Sequence, residues 1–378
     1  DMQSVGLGNV ATYSMTNGQN VTNVWEITDP YNIRDQQFTL VGNNLQFNAA
    51  SDSLRSFVAF TSNHESQVIP VGKVVNQNLH GILGTDMIIV SHPAFLSQAA
   101  TLATFHEDEG LDVTIVTPEQ VYNEFSSGSR DIVAIRDFIR MLYERAATPS
   151  ATPKYLLLFG DGSYDNKSRY VGNSNLLPTY QTPNSVDVIG SLVSDDYYGL
   201  LDVNEGTWVT TEFVDIAIGR FPVKNATEAN NVVNKILNYN TSNSMQDWRN
   251  LITFVGDDED NNTHMQQSNT LAGIVETNYL DYNVDKIFFD AYQQESTPGG
   301  SRYPEVNTKI NKAVEDGSLI VNYTGHGGEA GWGHERVLLV SDIDSWENTN
   351  SYPLFVTATC EFSRFDDPAR TSAGELVL

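Results

Sequence analysis

Cysteine is almost absent from this chain: one residue in 378, Cys360. A single thiol makes no internal disulfide, so apolar cores must hold the scaffold, and the sulfur is free for chemistry in a reducing compartment or in a secreted enzyme. Basic residues are scarce as well, 21 Lys and Arg against 48 Asp and Glu, and the formal charge of -27 would repel a phosphate backbone. Nucleic acid is therefore set aside as a partner. No stretch approaches the ~20 apolar residues that cross a bilayer, and no charged-then-apolar signal segment opens the chain. It begins at Asp1 rather than Met, which reads as a processed or excised piece of a longer protein. Walker loops, dinucleotide fingerprints and HExxH helices are lacking too.

What remains describes an ordered globular protein, with 40% hydrophobic and 18% charged residues, and a length that suits two or three domains. Residues 1–82 alternate short apolar and polar stretches, such as Ser56-Phe57-Val58-Ala59-Phe60, broken by Asn, Gly and Asp; this is the rhythm of a small all-β region. From residue 83 the pattern becomes strand, helix, strand. Apolar runs at Asp86 to Val90, Leu111 to Val116, Lys154 to Phe159 and Val214 to Arg220 predict buried strands, with helices over Phe95 to Glu109, Asp131 to Arg145 and Asn225 to Tyr239. A second α/β unit, 246–378, follows. Its strands are expected at Leu251 to Val255, Lys286 to Phe289, Ser318 to Tyr323 and Leu354 to Thr359, and its helices near His264 to Asn278 and Tyr303 to Asp316. Such alternation predicts parallel sheets flanked by helices.

In open α/β sheets ligands bind beyond the carboxyl ends of the strands. Two strand ends carry groups capable of nucleophilic chemistry: Tyr323-Thr324-Gly325-His326-Gly327-Gly328 and Thr357-Ala358-Thr359-Cys360. Their separation of 34 residues allows one crossover between neighbouring strands, which would bring Cys360 and His326 face to face. A thiolate is the attacking species in cysteine chemistry, and a nearby imidazole takes its proton or stabilises the ion pair. Gly325, Gly327 and Gly328 clear side chains from around His326, and the N–H groups of Gly327 and Cys360 would be natural oxyanion donors. The bland alternative is that a lone cysteine is a small core residue.

Asp257, Asp258, Glu259 and Asp260 follow another strand end. One carboxylate, Asp257 by preference, could orient His326 as a third catalytic member, while Asp258, Glu259 and Asp260 could hold calcium or form a solvated loop. The run fails the EF-hand pattern, with Asn262 at the sixth position and Ser268 at the twelfth. No cofactor is otherwise called for. Gly160 to Asp165 and Ser194 to Tyr198 read as ordinary turns, and His334 reads as a loop residue.

At this point the residues resemble a known family. Asn322-Tyr323-Thr324-Gly325-His326-Gly327, Trp332-Gly333 and the strand ending in Cys360 look like the catalytic core of the gingipain (C25) cysteine peptidases, from about residue 85 to the end. The resemblance implies a caspase-like fold in two subdomains, a gingipain-like 83–245 and a catalytic 246–378, preceded by the β-rich 1–82. It implies Cys360 as nucleophile, His326 as base, and Gly327, Gly328 and Trp332 at the oxyanion and substrate side. Tyr155 to Asp165 and the β-rich start are similar to the branch that serves as sortase of type IX secretion. That branch implies removal of C-terminal sorting domains from cargo proteins, transfer to an amine of surface lipopolysaccharide, other secretion components as partners, and the outer surface of a Gram-negative bacterium. A degradative protease and an inactive binding module are the competing expectations. The family's histidine-orienting acid is a glutamate, against the shorter Asp257 here. The acid that accompanies Arg or Lys specificity has no counterpart between Thr263 and Val275. Only 18 residues follow Cys360, so the rest of the catalytic domain is expected on further chain or on a partner.

Overall fold

Four apolar runs between Met87 and Phe221 can satisfy their backbone only in a ladder, and their side chains only between two layers. The computed structural model describes residues 5–62, 70, 72–183, 190–207 and 211–378; His64 lies outside them. It places these runs in one all-parallel sheet, ordered Ala217–Phe221, Tyr155–Phe159, Met87–Ser91, Val113–Val116. Alternation divides the sheet cleanly. Ile88, Val90, Leu156 and Leu158 meet Val121, Ile135, Phe138 and Leu142 of helices Pro118–Phe125 and Ile132–Arg145. Met87, Ile89, Leu157 and Phe159 meet Ala99, Leu102, Ala229 and Val233 of helices Leu96–Asp108 and Ala226–Tyr239 on the other face. Each such large side chain removed from water contributes on the order of 2 kcal/mol.

The second sheet is also all parallel, in the order Asn283–Phe288, Leu251–Gly256, Ile320–Thr324, Leu354–Ala358. One face packs Val255, Val321 and Tyr323 against Val306, Ile310 and Val314 of helix Pro304–Asp316. The other buries Ile252 and Phe254 under Ala272 of helix Glu259–Asn278. That cover ends before the edge strand, where Leu354 and Val356 are 58% and 43% exposed.

These elements agree with the expected fold class, parallel sheets flanked by helices. The helix Pro118–Phe125 was not expected; it starts from a capping box in which Thr117 and Gln120 bond each other's backbone N–H, with Pro118 in the first turn. Helix Glu259–Asn278 begins earlier than expected, through three left-handed residues, Asp260, Asn261 and Asn262, with φ of 53°, 56° and 63°.

Two compact units divide the chain, Asp1–Asn76 and Gln77–Leu378. The first holds two three-stranded antiparallel sheets, with Tyr13 stacked on Phe47 at 5.0 Å. The boundary expected after residue 82 therefore falls earlier, because Gln77 and the N–H groups of Leu79 and His80 are bound by the Glu124 carboxylate, and Leu79 is buried in the α/β core. The boundary expected at 245/246 separates two sheets inside one unit.

Candidate active site

The strands Ile320–Thr324 and Leu354–Ala358 are direct neighbours, paired from Ile320↔Leu354 to Thr324↔Ala358, and the Gly325 N–H donates to the Ala358 carbonyl at 3.2 Å. His326 and Cys360 each stand two residues beyond the last paired position. The register thus carries both to the carboxyl end of the sheet on adjacent strands, and Cys360 is exposed. The ladder fixes the pair of strand tips; the tight turns that follow present the side chains. Gly325 has no room for a Cβ, which would run into Asp257 and the Tyr323 hydroxyl, and a Cβ on Gly327 would collide with Thr359 Oγ1. Gly327 and Gly328 are partly exposed beside the two groups.

His326 is surrounded by donors and acceptors from three segments. Its Nε2 lies 2.9 Å from Asp260 Oδ2 and 3.8 Å from Glu259 Oε2. The His264 Nε2 reaches the same Asp260 oxygen at 3.2 Å, and the two rings meet edge to face at 5.2 Å. On the other side His334 stacks on His326 at 5.1 Å, and its Nδ1 lies 2.7 Å from Glu259 Oε2. An ionised carboxylate only accepts, so Asp260 selects the tautomer of His326 with the proton on Nε2. In the neutral ring the lone pair is then at Nδ1. The hydrogen bond from His326, and after it that from His264, holds the Asp260 carboxyl below the usual carboxylate range.

Asp257 was expected to orient the imidazole, and here the structure differs. Its carboxylate is fully buried and accepts the backbone N–H of His326 and of Glu259, each at 2.9 Å, with the Tyr323 hydroxyl at 3.5 Å. It fixes the turn that carries the ring, while Asp260 holds the ring itself. A side chain as short as aspartate, buried under the Gly325 turn, is spent on the main chain. Tyr323 closes the arrangement by donating to the His326 carbonyl at 2.5 Å; burial, reinforced by the Asp257 charge, raises its hydroxyl well above the ordinary range and keeps it a donor.

Trp332, expected on the substrate side, is corrected as well. It is fully buried, stacked on Tyr323 at 4.4 Å and packed against Phe355 and Phe362. The reason is a small antiparallel sheet, Gly327–Gly328, Gly331–Trp332 and Leu338–Leu339, that folds the indole inward. It supports the histidine turn from below, with no surface open to solvent.

The three carboxylates considered for calcium diverge. Asp258 accepts from the Tyr303 hydroxyl at 2.6 Å, Glu259 faces His334, and Asp260 faces His326 and His264. His264 was given no role in the sequence, and His334 was read as a loop residue. The i, i+4 spacing of Asp260 and His264 was the available signal for the first, although Asp260 lay ahead of the helix expected from His264.

The segment after Cys360 is tied down on both sides. Arg364 and Arg370 pair with Glu329 at 2.8 and 3.0 Å, the Ala373 N–H donates to the Glu329 carbonyl, and Tyr164 donates its N–H to the Asp366 carbonyl. Beneath it, Arg220 is buried in a two-point pair with Asp195, at 2.6 and 2.8 Å, with its guanidinium over the Phe365 ring. Asp195, in the Ser194 to Tyr198 stretch, is thus engaged in holding Arg220. A cleft of about 330 Å³ lies beside the cysteine loop, lined by Leu192, Val193, Thr359, Glu361 and Phe365 among others.

The chain is similar to several known proteins. Lys-gingipain HG66 of Porphyromonas gingivalis is 25% identical over 287 residues, 75% of this chain and 14% of the relative. Gingipain R2 of the same species is 22% identical over 283 residues, 72% of this chain and 32% of the relative. The chain thus spans no more than about a third of these relatives. Among solved structures, dimeric latent PorU from Porphyromonas gingivalis matches 89% of this chain and 28% of its own, with 27% identity and a TM-score of 0.54. The Arg-specific cysteine proteinase gingipain R (RGPB) shares the fold, with a TM-score of 0.56 over 77% of this chain and 58% of its own at 19% identity. The signature of peptidase family C25 covers residues 83–378, and this chain belongs to that cysteine peptidase family.

Proposed function

We propose that this chain carries the catalytic centre of a cell-surface cysteine endopeptidase that works as a transpeptidase, the sortase of a type IX secretion system. The observation that carries the reading is the placement of Cys360 and His326 at the tips of two adjacent parallel strands. Likeness to PorU over most of the chain supports the sortase branch over a purely degradative one. No helix among the described residues is long and apolar enough to cross a membrane.

In this mechanism Nδ1 of His326 takes the Cys360 proton, while Asp260 keeps the Nε2 proton in place and stabilises the imidazolium. The thiolate attacks the scissile carbonyl, and the N–H groups of Gly327 and Cys360 receive the oxyanion. Collapse breaks the C–N bond, His326 returns the proton to the leaving amine, and the cargo remains as a thioester on Cys360. The sorting domain departs. An amine of surface lipopolysaccharide then attacks the thioester, forms the amide and releases the thiol.

Mass spectrometry of a sorting-domain substrate incubated with the protein and an amine tests the reading. An amide adduct that disappears in Cys360→Ala supports transpeptidation. A hydrolysed product alone, insensitive to added amine, overturns the transfer step, and cleavage that survives Cys360→Ala overturns the nucleophile.

A further inference from the structure

The histidine that serves as base is also one corner of a second arrangement. One donor atom from each of Asp260, His264 and His326 lies within 4.8 Å of the other two, and among the described residues these form the only set of three potential metal-donor groups so close. Asp260 Oδ2 lies 2.9 Å from His326 Nε2 and 3.2 Å from His264 Nε2. Around a tetrahedral ion with bonds near 2.1 Å, neighbouring donor atoms stand about 3.4 Å apart. Both distances fall within about half an ångström of that spacing, so a modest side-chain movement would turn these hydrogen-bonded contacts into a ligand set. Glu259 Oε2, 3.8 Å from His326 Nε2, is within reach of the fourth position.

We propose that Asp260, His264 and His326 bind a zinc-class divalent transition metal, and that the bound ion switches off the Cys360–His326 pair. Two imidazoles and one carboxylate suit zinc and its neighbours, whereas calcium takes oxygen donors. The consequence for catalysis follows from the tautomer. A neutral imidazole has one lone pair on its ring nitrogens: when the metal takes Nε2, the ring proton is carried at Nδ1. The atom that would accept the Cys360 proton becomes a donor. No net proton is gained or lost by the neutral ring, and removal of the ion restores the Nε2–H···Asp260 bond and the free Nδ1. The metal site rests on the donor geometry alone; its effect on the thiol rests on the proposed dyad.

The test separates the two. Chelator-stripped protein is titrated with Zn2+ in a calorimeter, as wild type, His264→Ala, Asp260→Asn and Cys360→Ala, with far-UV circular dichroism as the check of folding. The expected result is one equivalent bound by wild type and by Cys360→Ala, with affinity reduced at least tenfold in His264→Ala and in Asp260→Asn. Absence of binding to wild type, or binding lost in Cys360→Ala and kept in His264→Ala, overturns the site. In parallel, alkylation of Cys360 by iodoacetamide is timed with and without Zn2+. Slowing by zinc in wild type that disappears in His264→Ala is expected. Equal slowing in both proteins overturns the switch, and a thiol that is unreactive without metal sinks the dyad while leaving the calorimetric result to stand on its own.

Discussion

At the scale of single residues, two aspartates three positions apart divide the support of one histidine. Asp257 holds its main chain and Asp260 its ring. Their variants should therefore fail differently. Asp260→Asn is expected to slow iodoacetamide labelling of Cys360 near neutral pH roughly tenfold with little change in unfolding free energy, since its carboxylate is exposed. Asp257→Asn places an amide donor among donors in a fully buried site and should lower the unfolding free energy by about 1–3 kcal/mol in urea titrations. Trp332 gives a second contrast. As a buried ring beneath the histidine turn, it should cost about 3–5 kcal/mol of stability on replacement by alanine and considerably less on replacement by phenylalanine. A variant that leaves urea unfolding unchanged and raises only KM would return the indole to the substrate side.

At the scale of elements, much of the fold was legible in the sequence, because strands buried on both faces read as unbroken apolar runs and their helices as regular stripes. Met87–Ser91, Tyr155–Phe159 and Ile320–Thr324 are of this kind. The placement of His326 and Cys360 at neighbouring strand tips was legible for the same reason. The ring's partners were not. Three consecutive left-handed residues at the start of helix Glu259–Asn278 set where the Asp260 carboxylate points, and no periodicity announces such a turn. Trp332 was assigned to the substrate side by resemblance alone, and the two-residue strands that fold it inward are too short to carry a periodicity.

The entry into the α/β unit offers a pH test at this scale. Burial alone would raise the Glu124 carboxyl, yet hydrogen bonds from Leu79, Gln77 and His80 outweigh it and bring the group to about 2 from an ordinary 4.5. A depressed carboxyl contributes stability that is present above its unfolded value and lost as pH falls from about 4.5 towards 2. Glu124→Gln should thus lower the unfolding free energy at neutral pH by roughly 2 kcal/mol, and the difference from wild type should vanish across that acid window. A difference that stays constant between neutral pH and pH 3 would contradict the clamp.

At the scale of the whole molecule, the surplus of acid dominates. With a formal charge of -27, the folded chain repels itself, and screening should relieve this. Raising sodium chloride from about 20 mM to about 200 mM at pH 7, which shortens the Debye length from roughly 20 Å to under 10 Å, is expected to raise the melting temperature by a few degrees. A melting temperature that falls with salt would mean that attractive ion pairs, such as those of Glu329 with Arg364 and Arg370, outweigh the net charge.

Cys360 follows the outermost strand of its sheet, and five paired positions join that strand to the one that leads to His326. In the proposed dyad, competence would accordingly be a matter of alignment along a single seam. Fraying or sliding of that seam would part sulfur from nitrogen while drawing on the core through Phe355 alone among the large side chains of the edge strand, since Leu354 and Val356 are exposed.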